Sequence, residues 1–202
     1  MKKAGIVKDR AATEARILHA ARTVFAHRGY DAAGLREIAE VAEANLSLIS
    51  RYFGGKEGLL AALTDQFVAS RREGELSYPP QDTLEGEIYS YLHAKLRDDL
   101  KDEDIVRLIV SRAAIDAEFR NMGGVHIDGL ADQNFRARVR RLQDSGNVSS
   151  DMDVDLLFTG VMHVSFSVNF FGAIVVGRPD TEIDALFYGF AAALAQGFPV
   201  RH

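Results

Sequence analysis

Apolar residues recur at helical spacing along the whole chain, and no stretch alternates in the manner of a strand. Between Thr13 and Arg28, the residues Ile17, Ala20, Ala21, Val24 and Phe25 form one stripe that Gly29 closes. Leu35, Ile38, Ala39 and Ala42 predict a second, short helix. Asn45 is suited to cap a third over 46–52, which faces inward through Ile49 and Phe53. Gly54-Gly55 breaks that helix. A fourth follows on Leu59, Leu60, Leu63 and Phe67 and fades at Arg71-Arg72-Glu73-Gly74.

Ser77-Tyr78-Pro79-Pro80 reads as a linker. Beyond it the pattern predicts helices near 83–100 (Leu84, Ile88, Tyr91, Leu92, Leu96), 103–118 (Ile105, Leu108, Ile109, Ala113) and 125–144 (Ile127, Leu130, Phe135, Val139, Leu142). Two strongly apolar helices, about 153–176 and 181–197, finish the chain on either side of Gly177-Arg178-Pro179-Asp180. The fold class is all-α, with about nine helices and no internal repeat.

Composition narrows this only a little. The 202 residues are 47% hydrophobic and 26% charged, ordinary for a soluble globular protein with a real core. The absence of cysteine excludes disulfides and thiolate metal sites, and fits a reducing compartment. The start, MKKAGIVKDRAATEAR, is charged and lacks the apolar core of a secretion signal. Leu156 to Val176 carries no Asp, Glu, Lys or Arg over a length that spans a bilayer. It also holds Thr159, His163, Ser165, Ser167 and Asn169, and three aspartates crowd its start. A helix covered on nearly all sides by its own domain and a partner chain is therefore expected, with no membrane.

Charge changes the picture more. Residues 1–72 hold 12 Lys and Arg against 8 Asp and Glu, whereas the remainder holds 12 against 21. A basic first part on an acidic body suggests that only the first part meets a polyanion.

The second and third helices, joined by a short turn, form the helix-turn-helix pattern, whose second helix enters the DNA major groove. The outward residues of the third helix suit that role. Serine hydroxyls at 47 and 50 bond base edges or phosphates, Tyr52 reaches a phosphate, and Leu46 or Leu48 meets a thymine methyl. Lys56 opens the next helix, where an ammonium beside free backbone N–H groups favours a phosphate.

The run RILHAARTVFAHRGYDAAGLREIAEVAEANLSLISRYFGGKEGLL resembles the DNA-binding head of the TetR/AcrR family of transcriptional regulators. The likeness rests on Ile17, Ala20-Ala21, Phe25, Gly29-Tyr30, Leu35-Arg36, Ile38-Ala39, Tyr52-Phe53, Lys56-Glu57 and Leu59-Leu60. It implies a three-helix head over 10–57 and a helical effector-binding and dimerisation body over 58–198. It places DNA contacts on Arg36, Leu46, Ser47, Leu48, Ser50, Tyr52 and Lys56, with Lys2, Lys3, Lys8 and Arg10 as further phosphate contacts. Three positions depart from the family's habit. Glu43 stands where a turn glycine is usual, Ser47 and Ser50 replace small or aromatic residues, and Gly54-Gly55 replaces a proline-containing pair. They imply an altered operator preference.

The resemblance further implies a cytoplasmic homodimer on a palindromic operator and a small-molecule effector that releases it through the fourth helix. The last two helices are too apolar for one domain to cover, and Gly160, Gly172, Ala173, Gly189 and Ala191–Ala193 permit close approach of a partner. Candidate effector residues are polar or aromatic groups on otherwise apolar helices: His93, Arg112, Asp116, His126, Asn134, His163, Phe166, Asn169 and Phe170. Arg112 and Asp116, four apart, make either a plain ion pair or an anchor for a charged effector. The phenylalanines favour a hydrophobic effector or simply pack a dimer seam. No cofactor or metal is expected, since the six histidines lack ligand spacing and no hydrolase, zincin, dinucleotide or P-loop signature occurs. An enzyme is therefore not expected. The remaining alternative is a helical ligand-binding protein whose head no longer binds DNA.

Overall fold

The computed structural model describes residues 2–72, 76–121 and 133–197, with side chains throughout except at 2–9 and 72. The described residues form ten helices and no strand, as the all-α reading requires. They are α1 (Lys2–Arg28), α2 (Leu35–Val41), α3 (Leu46–Phe53), α4 (Lys56–Arg72), α5 (Leu84–Lys101), α6 (Glu103–Ile115), a single turn α7 (Ala117–Phe119), α8 (Gln133–Asp144), α9 (Val154–Phe166) and α10 (Asp180–Gly197). A π-helical stretch, Ser167–Val176, continues α9. The count exceeds nine because the helix expected over 103–118 is interrupted. Asp116 leaves helical geometry, and its carboxylate caps α7 by accepting from the Phe119 N–H. The helix expected from 125 is described from Gln133 onward; Ile127 and Leu130 lie outside the described residues.

The chain divides into two compact units, Met1–Arg71 with Asp104–His126, and Arg72–Glu103 with Ile127–His202. In the first, the predicted stripes meet: Ile17, Ala21 and Phe25 of α1 pack on Ile38 of α2, Ile49 of α3 and Leu59 of α4, all at most 1% exposed. Each large side chain so buried contributes about 2 kcal/mol. Ile105, Leu108, Ile109 and Ala113 of α6 join this same core, so α6 packs with the head. Ion pairs hold it at both ends, Arg22 to Asp104 and Arg112 to Asp31. The hydrogen bond from Arg22 keeps the Asp104 carboxyl below the usual carboxylate range.

The core of the second unit is built from Ile88, Tyr91 and Leu92 of α5, Phe135 and Val139 of α8, Val161 of α9, and Ile183 and Phe187 of α10. Glu87 is fully buried beneath it. Its carboxylate accepts from the Tyr78 hydroxyl (2.7 Å) and the Gln81 N–H (2.9 Å), and Arg138 lies 3.5 Å away. Arg138 also donates to the Tyr78 carbonyl and covers that ring, so the predicted linker is pinned at its far end. Burial, then the bond to Glu87, pushes the Tyr78 hydroxyl far above the ordinary tyrosine range, so it stays protonated and donates.

The helix Val154–Val176 is long and apolar enough to cross a membrane by length and composition. Its own unit buries about a third of the most apolar window, less than a fully covered helix would show.

Removing the buried carboxylate leaves Arg138 without its charge partner in the interior. Glu87→Ala is expected to destabilise the second unit by about 3 kcal/mol, read as a lower midpoint in urea unfolding. An unchanged midpoint would show that the pair carries no stability.

Candidate nucleic-acid interface

Helix α3 is eight residues long, too short to stand alone in water, and its ends and one side chain hold it in place. Asn45 starts it: the side-chain oxygen accepts from both the Ser47 N–H (2.9 Å) and the Ser47 hydroxyl (2.7 Å). Gly54 ends it in the left-handed conformation at φ 77°, its N–H bonded to the Ser50 carbonyl, and Gly55 follows at φ 129°. The glycine pair therefore supplies a corner that a side chain resists. A methyl group on Gly58 would collide with the Phe53 carbonyl, so α3 and α4 meet backbone to backbone. Ile49 is fully buried.

The α2–α3 turn is a Schellman motif. Ala44 N–H bonds the Ala39 carbonyl and Glu43 N–H bonds the Glu40 carbonyl, with Glu43 at φ 49°. Glu43 is the only non-glycine among the described residues with positive φ. Glu43 thus occupies the left-handed conformation that a glycine would adopt without strain.

The remaining face of α3 is open. Leu46, Ser47, Ser50 and Arg51 are exposed, as is Arg36 on α2. Arg51 was not among the residues that the resemblance marks, although its register on α3 points to this face. Leu48 and Tyr52 are half-buried and pack on the head core, so Leu46, 37% exposed, offers the freer apolar contact. The Arg10 guanidinium stacks over the Tyr52 ring at 4.9 Å, which brings α1 beside the end of α3. Lys56 donates to the Asp31 carbonyl at 3.0 Å and lies 4.7 Å from the Tyr30 ring centre. Lys2, Lys3 and Lys8 have side chains outside the described residues.

An amphipathic second helix, capped and turned so that hydroxyl, guanidinium and aliphatic groups face outward, has the form of a groove reader. The family described as bacterial regulatory proteins, tetR family, matches residues 17–63. The HTH-type transcriptional repressor AcnR of Corynebacterium efficiens is 28% identical over 143 residues, covering 70% of this chain and 71% of that one. AcnR of Corynebacterium glutamicum is 29% identical, covering 71% and 72%. The head, residues 17–63, is thus similar to that of the tetR family, and most of the chain is similar to transcriptional repressors. These similarities are to DNA-binding regulators of transcription and not to enzymes. Salmonella enterica GusR shares the chain's fold at 16% identity with a TM-score of 0.67, covering 91% of this chain and 95% of that one. The TetR-family regulator PfmR of Thermus thermophilus shares it at 19% identity with a TM-score of 0.60, covering 90% and 97%.

The candidate effector residues fall in several places. Arg112 and Asp116 pair at 2.5 Å within the unit that contains the head. In the other unit His93 lies 3.1 Å from Asp184 and against the Phe187 ring, while His163 is exposed with Nδ1 2.7 Å from the Thr159 carbonyl. Phe166 and Phe170 stack at 5.5 Å. Asn169 is buried, donating to Asp99 (2.8 Å) and Ser165 (3.2 Å), and its Oδ1 lacks a partner. Asn134 is exposed, and His126 lies outside the described residues.

Two substitutions test this local architecture. Glu43→Gly removes the left-handed strain and is expected to stabilise the head by about 0.5–1 kcal/mol. Gly58→Ala is expected to destabilise it by about 2 kcal/mol and to weaken duplex binding by displacing α3. Thermal unfolding followed by circular dichroism reads both; unchanged stability in either variant would contradict the corresponding contact.

Proposed function

We propose that the protein is a cytoplasmic transcriptional repressor that binds a palindromic operator as a homodimer and leaves it when a small, predominantly hydrophobic effector binds the body. The observation that carries this reading is the open face of α3. Ser47 and Ser50 read base edges, Leu46 and Leu48 supply apolar contact, and Arg36, Tyr52 and Lys56 position the head on phosphates. Repression follows the curated relatives, both of which are named repressors.

Support for the dimer comes from the surface of the last two helices. Leu156 is 70% exposed, Phe171 58% and Tyr188 58%, and Val175, Val176 and Leu186 are exposed as well. Exposed apolar side chains of this size are costly in water and suit a second copy. Gly160 and Gly189 have open space where a side chain would stand, which leaves room for a close helix–helix approach. Support for an effector site in the body comes from the Phe166–Phe170 stack and from the unpaired Asn169 oxygen, which invites a hydrogen-bond donor. His93 and His163 complete the candidate set there. Release requires that the effector bind more tightly to a form whose recognition helices are wrongly spaced, because equal affinity would shift nothing.

Salt-dependent duplex binding separates the two kinds of contact. Lys56→Ala is expected to weaken all sequences alike and to lower the slope of log K against log salt by about 1. Ser47→Ala and Ser50→Ala are expected to change base preference by about 1 kcal/mol or more at single positions, with the slope unchanged. An unaltered slope removes Lys56 from the phosphate contacts, and unaltered preference removes the serines from base reading.

A further inference from the structure

The unit that contains the head holds a cavity of about 380 Å³ that DNA reading does not use. Its volume suits a molecule of one ring with a short side chain. The walls are of two kinds. Leu60 of α4 and Phe119 of α7 are buried, apolar and rigidly packed, and Tyr30 closes one side. The charged lining consists of Glu57, Asp116 and Glu118 against the single guanidinium of Arg112.

That guanidinium is already committed. It bonds Asp116 at 2.5 Å and Asp31 at 3.2 Å and lies 4.5 Å from the Tyr30 ring centre. Glu57 and Glu118 make no ion pair among the described residues. The field at Tyr30 reflects this excess. Burial raises its hydroxyl above the ordinary range, Glu57, Asp116 and Asp31 raise it further, and only Arg112 opposes them. An anion entering here would meet three carboxylates. A bare metal ion finds no cluster of three His, Asp or Glu ligands among the described residues.

We propose that this cavity binds a small organic cation, an amine or amidine with an apolar body, its charge between Glu57 and Glu118 and its body against Leu60 and Phe119. The chain's own Arg112, held by carboxylates beside an aromatic ring, shows the chemistry that the place accepts. The site lies in the unit that contains the head and takes in Arg112 and Asp116 of the effector candidates, but none of His93, His163, Phe166, Asn169 and Phe170. It has a direct route to DNA contact. Asp31 holds Arg112 through its carboxylate and Lys56 through its carbonyl. A cation seated beside Arg112 in this cavity therefore bears on the ion pair to Asp31, whose carbonyl positions Lys56. This coupling, unlike the binding itself, rests on the operator reading.

The test is calorimetric titration of the full chain with benzylamine, benzyl alcohol and benzoate, three probes of one shape and different charge. Benzylammonium is expected to bind about tenfold more tightly than the alcohol, with benzoate undetected. In the double variant Glu57→Gln with Glu118→Gln, both exposed positions, the preference for amine over alcohol is expected to vanish. Equal binding of all three probes, binding of none, or a preference that survives the double variant would overturn the proposal. Duplex binding by the same protein keeps the two claims apart. DNA binding without an amine preference overturns the cavity alone, and an amine preference without DNA binding overturns the operator reading while upholding the cavity.

Discussion

The head depends on holding an eight-residue helix with only one fully buried side chain. Helix α3 must leave an entire face uncovered, so it cannot be secured by burial all round. Ile49 supplies the one full anchor, Asn45 satisfies the first turn, and the Gly54-Gly55 corner ends the helix where α4 must begin. The backbone contact between Phe53 and Gly58 then fixes α3 against α4. With these four constraints in place, the outer residues carry no structural duty and are free to be serine, arginine and leucine. The Glu43 strain lies next to this assembly and is tolerated because both Schellman hydrogen bonds form around it.

The second unit answers a different demand. Its interior is an ordinary apolar core, with Glu87 as the one fully buried charged group among the described residues and with its partners supplied by the linker and α8. Its outside is not ordinary. The helix Val154–Val176 and α10 present large apolar groups that a lone chain in water has no reason to show. By length and composition alone, Val154–Val176 also passes for a membrane span. The open space at Gly160 and Gly189 favours a second copy of the chain as the cover.

Most of the helical layout was legible in the sequence. The apolar stripes of α1, α5 and α6 gave their buried residues correctly, since a 3.6-residue period leaves little freedom about which face turns inward. The third helix was legible down to its Asn45 cap and its glycine stop. The partner of α6 was not legible: Ile105, Leu108 and Ile109 predict an inward face and say nothing about which core receives it. That choice rests on long-range pairs such as Arg22–Asp104 and Arg112–Asp31, which no local pattern encodes. The break at Asp116 was missed because its capping bond competes with an otherwise helical run. On the interface, the outward residues of α3 follow from spacing, whereas the attachment of Lys56 to Asp31 and Tyr30 depends on a turn 25 residues away.

The central claim is that the open face of α3 reads a specific duplex as part of a two-fold pair. Selection of duplexes from a random pool, with non-specific competitor DNA near physiological salt, tests it most directly. The account predicts enrichment of a palindrome whose half-sites lie about one helical turn apart or a multiple of it. A folded, dimeric protein that enriches no sequence would contradict it, and would point to a head that keeps the family's shape without its DNA reading.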